Sequence, residues 1–197
     1  MQTKTNFRHI VQGAAAIAVM AAMAPAMAGE GEIQFNGKVL STTCSVAGGG
    51  GASGNKNLTV KLPSVSMSAL ASEGSVAGRT PFSIILSGCS GDSTKVSTVF
   101  EAGDTVDSGS GRLNLVSSGA EGETVATNVQ IGLLNDQQKP ILAGLASGLQ
   151  QSQVVNLNKD EAGVGGATLN YYAEYHATGK ATAGSANTRV QYSMDYQ

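Results

Sequence analysis

The 197-residue sequence has no tryptophan, four prolines, two cysteines, two histidines and only 13% charged residues. Twelve Lys and Arg against fourteen Asp and Glu leave a formal charge of −2, too weak a positive field to neutralise many phosphates, so no nucleic-acid partner is expected. So few charges in a chain that is 41% hydrophobic exclude a charge-rich disordered polymer, a coiled coil and a collagen. Scattered carboxylates beside one histidine in the mature chain make no metal-ligand spacing, and without a Cys-x-x-Cys pair there is no redox motif. At ~100 to 200 residues per domain, the length suits one core, or at most two small ones.

Long apolar runs are missing too, apart from one near the start. Lys4 and Arg8 lead into Ile10–Ala24, of which Ala14–Ala24 is uninterrupted, and Pro25 precedes the small-residue site Ala26-Met27-Ala28. This is the pattern of a secretory signal peptide over 1–28, and its apolar run is shorter than the ~18 to 20 residues of a membrane span. Cleavage after Ala28 removes two cations and no acid, leaving a mature charge of −4. Export to an oxidising compartment makes a Cys44–Cys89 disulfide the expected fate of the only two thiols.

What is abundant is alternation. Leu58, Val60, Leu62; Phe82, Ile84, Leu86; Val96, Thr98, Phe100; Val129, Ile131, Leu133; Leu169, Tyr171, Ala173, Tyr175; and Val190, Tyr192, Met194, Tyr196 each recur with period two. Glycine-rich stretches such as 48–54, 103–111, 117–122 and 163–166 separate them. Short half-buried strands between such turns predict an all-β sandwich or barrel, with one short helical turn at Met67–Ala71. Gly49-x-Gly51-x-x-Gly54 matches a dinucleotide fingerprint in letters only, because no helix follows, and is expected to be a loop. His176 lies on the opposite face of its strand from Tyr171 and Tyr175. With no nucleophile and orienting group beside it, it reads as a surface or interface residue, and no catalytic site is expected. Asn57-Leu58-Thr59 is a formal glycosylation sequon in a strand-like stretch.

A further alternating segment begins within a few residues of the cleavage site. Gly31, Ile33, Phe35, Gly37 and Val39 share one face, and Glu32, Gln34, Asn36 and Lys38 share the other. It is either an ordinary first strand or a detachable arm. This segment, the run Phe82-x-Ile84-x-Leu86-x-x-Cys89 and the ending Tyr175-x-Ala177-Thr178-Gly179 … Gly184 … Tyr196-Gln197 resemble the major subunits of type 1 fimbriae built by the chaperone–usher pathway. The ending is the most specific part: Gly184 is fourteenth from the C-terminus and Tyr196 is penultimate, as is typical of that family.

The resemblance implies an incomplete immunoglobulin-like β-sandwich that lacks its last strand. It implies a donor-strand arm over 29–43 leading into the first strand, and a sandwich domain over 44–197. Ile33, Phe35 and Val39 would fill pockets in the next subunit, with Gly37 where the groove is shallow. The groove would lie between the Val190–Tyr196 strand and the early strand near Cys44, lined by Val190, Tyr192 and Met194. Gly184, Tyr196 and Gln197 would complete the groove and the surface a periplasmic chaperone recognises. Partners would be identical or related subunits, that chaperone and an outer-membrane usher, with no cofactor and no small-molecule substrate, and the product a surface fimbria supporting adhesion. Two alternatives stay open: a low-copy minor or adaptor subunit, and a soluble secreted sandwich that binds a ligand on its loops.

Overall fold

A computed structural model describes residues 34, 37, 39 and 41–197, and the unit that runs to Gln197 from Lys38 carries all the secondary structure below. Among the described residues eleven strands follow one another: β1 Thr43–Gly49, β2 Ala52–Ser53, β3 Thr59–Val60, β4 Val76–Ser90, β5 Lys95–Phe100, β6 Leu113–Asn114, β7 Val129–Leu134, β8 Val154–Asn156, β9 Asn158–Lys159, β10 Gly165–Ala177 and β11 Tyr192–Tyr196. Two 3₁₀ turns, Met67–Leu70 and Ser147–Leu149, complete the inventory. The first stands where the helical turn is expected, and the Ser66 hydroxyl accepts from the Ser68 N–H to cap it.

The larger sheet has the order β1-β4-β10-β7-β6, with β9 added to β10, and the smaller has the order β11-β5-β8. All pairings in both are antiparallel. In the immunoglobulin scheme β1-β4-β10-β7 take the A-B-E-D places and β5 and β11 the C and F places. No described strand stands in the G place beside β11.

The period-two pattern explains the core. Register pairs Leu86 with Ala167, Ile84 with Leu169 and Phe82 with Tyr171, then Ala173 with Leu133 and Tyr175 with Ile131, so the apolar faces of β4, β10 and β7 coincide. From the facing sheet Val96, Thr98 and Phe100 enter the same core, all essentially buried. Tyr171 sits between the layers, 5.5 Å from the Phe82 ring and 5.5 Å from Phe100 in an edge-to-face contact. Its hydroxyl shares a hydrogen bond of 3.2 Å with Ser152, which satisfies the polar end of a ring that is 1% exposed. His176 is partly buried on the opposite face from Tyr175, as its place in the alternation requires.

Two strand expectations are adjusted. The Leu58–Leu62 alternation pairs only at Thr59–Val60, against β2. The final strand starts at Tyr192 and not at Val190, because the Arg189 carbonyl accepts from the Thr105 hydroxyl and the β5 ladder is met only from Gln191 onward. The 48–54 glycines form a strand–turn–strand, with Gly48 N–H donating to the Gly54 carbonyl at 2.9 Å. A Cβ on Gly51 would lie 2.2 Å from the Pro81 carbonyl oxygen, so this residue type serves close backbone packing on β4.

Cys44 and Cys89 are bridged, tying β1 to β4 across a register shift between Thr43 and Ser45. At a sequence separation of 45, loop-closure entropy gives the bridge a worth of about 4 kcal/mol. Replacing both cysteines by serine should lower the unfolding free energy by about that amount in denaturant titrations. Equal stability of the two proteins would contradict it.

Candidate functional site

Hydrogen bonds at the two ends of the β5–β11 pair decide which way the β11 backbone faces. Gln197 donates to the Lys95 carbonyl at 2.9 Å and accepts from the Lys95 N–H at 3.0 Å, and the Glu101 N–H donates to the Gln191 carbonyl at 2.8 Å. Bonded and non-bonded residues alternate in an antiparallel pair, so Gln191, Ser193, Asp195 and Gln197 are the residues bonded to β5. Tyr192, Met194 and Tyr196 therefore turn their N–H and C=O groups to the opposite edge. No strand pairs with that edge among the described residues. Their side chains face the core yet are only partly buried, in contrast to the buried Val96, Thr98 and Phe100 beside them.

Along this edge runs a groove of about 1510 Å³. One wall is formed by 182–194 and the other by 56–62, and the floor includes Phe82, Ile84, Phe100, Ile131 and Tyr175. Leu58, Val60 and Leu62 on the second wall pack against the core. Strands in a sheet lie ~4.8 Å apart, so the space left by one absent strand is ~10 Å wide between its neighbours. An extended segment with apolar side chains at every second position fits such a space, pairing its backbone with β11 and sinking those side chains onto the floor.

The second wall is not the early strand near Cys44, from which only Val46 reaches the groove. β1 is covered because the chain folds straight back on it: Ala47 bridges to Asn55 and the Lys56 N–H donates to the Val46 carbonyl at 3.2 Å. The next residues, 56–62, take the wall position. Lys56 has φ +62°, and the Asn57 N–H donates to the Asn55 carbonyl at 2.7 Å, which closes a γ-turn on a non-glycine residue. Such a backbone costs ~1 to 3 kcal/mol and persists only where its surroundings hold it. The Lys56 carbonyl accepts from the Tyr192 hydroxyl at 2.5 Å. Burial raises the pKa of that phenol.

Gly184 closes the far end of the first wall. A Cβ there would lie 2.4 Å from the Ala126 nitrogen and 2.6 Å from the Thr124 carbonyl oxygen, so only glycine allows the chain to pass this close. The contact continues through Ser185, whose N–H donates to Thr124 at 2.8 Å and whose carbonyl accepts from Ala126 at 2.9 Å. Glu123 fastens the same junction. Its carboxylate accepts from the Ser117 hydroxyl at 2.6 Å, the Ser118 N–H at 2.7 Å and the Asn187 side chain at 3.1 Å. The Ser117 hydroxyl first, with the Ser118 hydroxyl and N–H beside it, holds this carboxyl down to a pKa of about 2.

Of the residues singled out from the sequence, Gly184, Val190, Tyr192 and Met194 lie along this groove. Tyr196 lies beyond it, half-buried and opposite Val96, and the Gln197 carbonyl accepts from the Thr94 and Lys95 N–H groups at 2.8 and 3.0 Å. Val39 is 99% exposed. Gly37 is among the described residues, whereas Gly31, Ile33, Phe35 and the 1–28 segment lie outside them. Sequence reasoning missed Lys56 and Glu123. Nothing in the pattern flags a positive-φ lysine, while the Leu58-x-Val60-x-Leu62 alternation was available to mark the second wall.

Comparison with known proteins bears on the family of the chain. The family model described as FimA: Type-1 fimbrial protein, A matches residues 62–197. The chain is 47% identical over 184 residues to the major fimbrial subunit SMF-1 of Stenotrophomonas maltophilia, covering 90% of this chain and 99% of that one. It is 43% identical over 187 residues to the F17 fimbrial protein of Escherichia coli, covering 92% and 95%. Among solved structures it resembles a chain of a chaperone–usher pilus studied for rod uncoiling, with a TM-score of 0.55 and 19% identity over 88% of this chain and 100% of that one. At that identity the likeness shows the fold.

Because Glu123 has a folded pKa of about 2 against an ordinary 4.5, its stabilising contribution is full above about pH 4.5 and is lost as pH falls through about 2. Glu123→Gln should therefore lower stability at pH 6, with the difference from the parent shrinking below pH 4 and vanishing near pH 1.5. Thermal unfolding across that range measures it, and a difference independent of pH would contradict the role given to the carboxylate.

Proposed function

The chain belongs to the family of type-1 fimbrial proteins and is a structural subunit of a chaperone–usher fimbria, and from that premise we propose how it assembles. The groove beside β11 accepts the arm of a second copy. The arm is the segment 29–43, whose Ile33, Phe35 and Val39 enter the groove as plugs while Gly37 passes its shallow point. The observation that carries this reading is the pairing of an open strand edge over an apolar floor with a matching period-two segment in the same chain. Burying three plugs contributes ~1.5 to 3 kcal/mol each, and six newly paired backbone groups on β11 add to it.

Each subunit gives one arm and takes another, so the contact is heterologous and propagates into an open filament. Residues 1–28 direct export, a periplasmic chaperone covers the groove until an arm replaces it, and an outer-membrane usher passes the subunits to the surface. Gly184, Tyr196 and Gln197 belong to the end that the chaperone reads. Names of relatives that specify a major subunit favour that place over a low-copy adaptor, and fimbrial relatives set aside the soluble ligand-binding sandwich. The protein works by assembly and not by catalysis, which suits relatives that are structural subunits.

Deleting 29–39 should leave a subunit that accepts an arm but offers none, so it accumulates as a chaperone complex or caps filaments. Gly37→Leu should slow or block polymerisation while the subunit's own fold is unaltered. Electron microscopy of surface material and the melting temperature of the purified subunit check both. Loss of the fold on deletion, or normal filaments from either variant, would return the segment to the status of an ordinary first strand.

A further inference from the structure

Among the described residues, one side-chain hydrogen bond joins the two walls of the groove, from the Tyr192 hydroxyl on β11 to the Lys56 carbonyl at 2.5 Å. Tyr192 is also one of the three residues whose free backbone groups an incoming strand has to pair. Its ring points inward from that same position, so the phenol bridges the space that the strand would fill. The acceptor is equally constrained. Lys56 is held in its positive-φ turn by the bond from its N–H to Val46 and by the turn bond between Asn57 and Asn55, so its carbonyl stays aimed at the groove.

We propose that the Tyr192–Lys56 hydrogen bond is a latch across the groove, which an arriving strand has to break before it reaches full register. The inference rests on the reading of the groove as a strand acceptor. The latch stands toward one end of the 182–194 wall, and the stretch from Gly184 to Val190 carries no such bond to the 56–62 wall. A strand can therefore lie down along that stretch first and meet Tyr192 later. Until then the bond holds two walls together that share no backbone pairing, keeping an apolar floor from being fully open. It makes the rate of strand capture depend on a single hydroxyl.

The test compares the full exported chain with its Tyr192→Phe variant, using a fluorescent synthetic peptide of residues 29–42 in large excess over the chain's own arm. The variant should capture the peptide roughly three- to tenfold faster, the factor expected from one hydrogen bond, with an unchanged dissociation rate. Its melting temperature should fall when the groove is empty and match the parent's when the peptide is bound, because the bond exists only in the empty state. A tyrosine with a purely structural role would lower both melting temperatures alike and would not speed capture, and that outcome overturns the latch. Should the variant fail to fold, the parent chain with ¹³Cζ-labelled tyrosine keeps the question open to measurement: the Tyr192 signal should shift on peptide loading, and an unmoved signal overturns the proposal. Capture at one rate by both proteins removes the latch and leaves the groove reading standing. No capture by either removes both.

Discussion

A strand edge that no described strand pairs, above an apolar floor, shapes everything around it. Tyr192, Met194 and Tyr196 each present a backbone donor and acceptor where the next strand of an immunoglobulin-like sheet would be. Water can satisfy those groups in an isolated subunit, but Leu58, Val60, Val190, Tyr192 and Met194 along the groove stay only partly buried, at a hydrophobic cost. A polypeptide segment in extended form satisfies both requirements together, and open edges of this kind are otherwise routes to aggregation.

The remainder of the chain sets the two walls of that groove. The disulfide ties β1 to β4, and the hairpin that follows β1 carries residues 56–62 to the second wall. At the other wall Gly184 lets the chain press against residues 124–126, and Glu123 gathers the Ser117–Ser118 loop and Asn187 around one carboxylate. β5 stands behind β11, fully packed against the core through Val96, Thr98 and Phe100, so the accepting edge rests on a rigid neighbour. Packing is dense on the β5 side and unfinished on the β11 side. That asymmetry gives a storage site for binding energy: the side chains left half-buried are the ones that gain most when a strand arrives.

The sandwich was legible because burial in two layers imposes period two, and β4, β5, β7, β10 and β11 each carry it in letters that any reader of the sequence meets. The resemblance at Gly184 and Tyr196 supplied what periodicity does not, namely that one strand is absent. The place of 56–62 as the second wall is not set by periodicity, since a chain reversal such as that of 50–56 depends on glycine packing against Pro81 and on a strained Lys56, neither of which has a sequence period. Glu123 was invisible for a related reason: its role comes from residues brought together from 117–118 and 187, and a carboxylate in a polar loop has no local signature. Local alternation is written in the sequence, whereas the width of a gap between two walls is a property of tertiary packing.

β11 offers one edge and hides the other, and residue-resolved hydrogen exchange on the isolated subunit and on assembled filaments reads both edges. An alternating pattern is expected. The Ser193, Asp195 and Gln197 amides, bonded to β5, are protected in both states. The Tyr192, Met194 and Tyr196 amides exchange quickly in the isolated subunit and become protected in filaments. Protection of all six in the isolated subunit, or fast exchange at Tyr192 and Met194 within filaments, would contradict it.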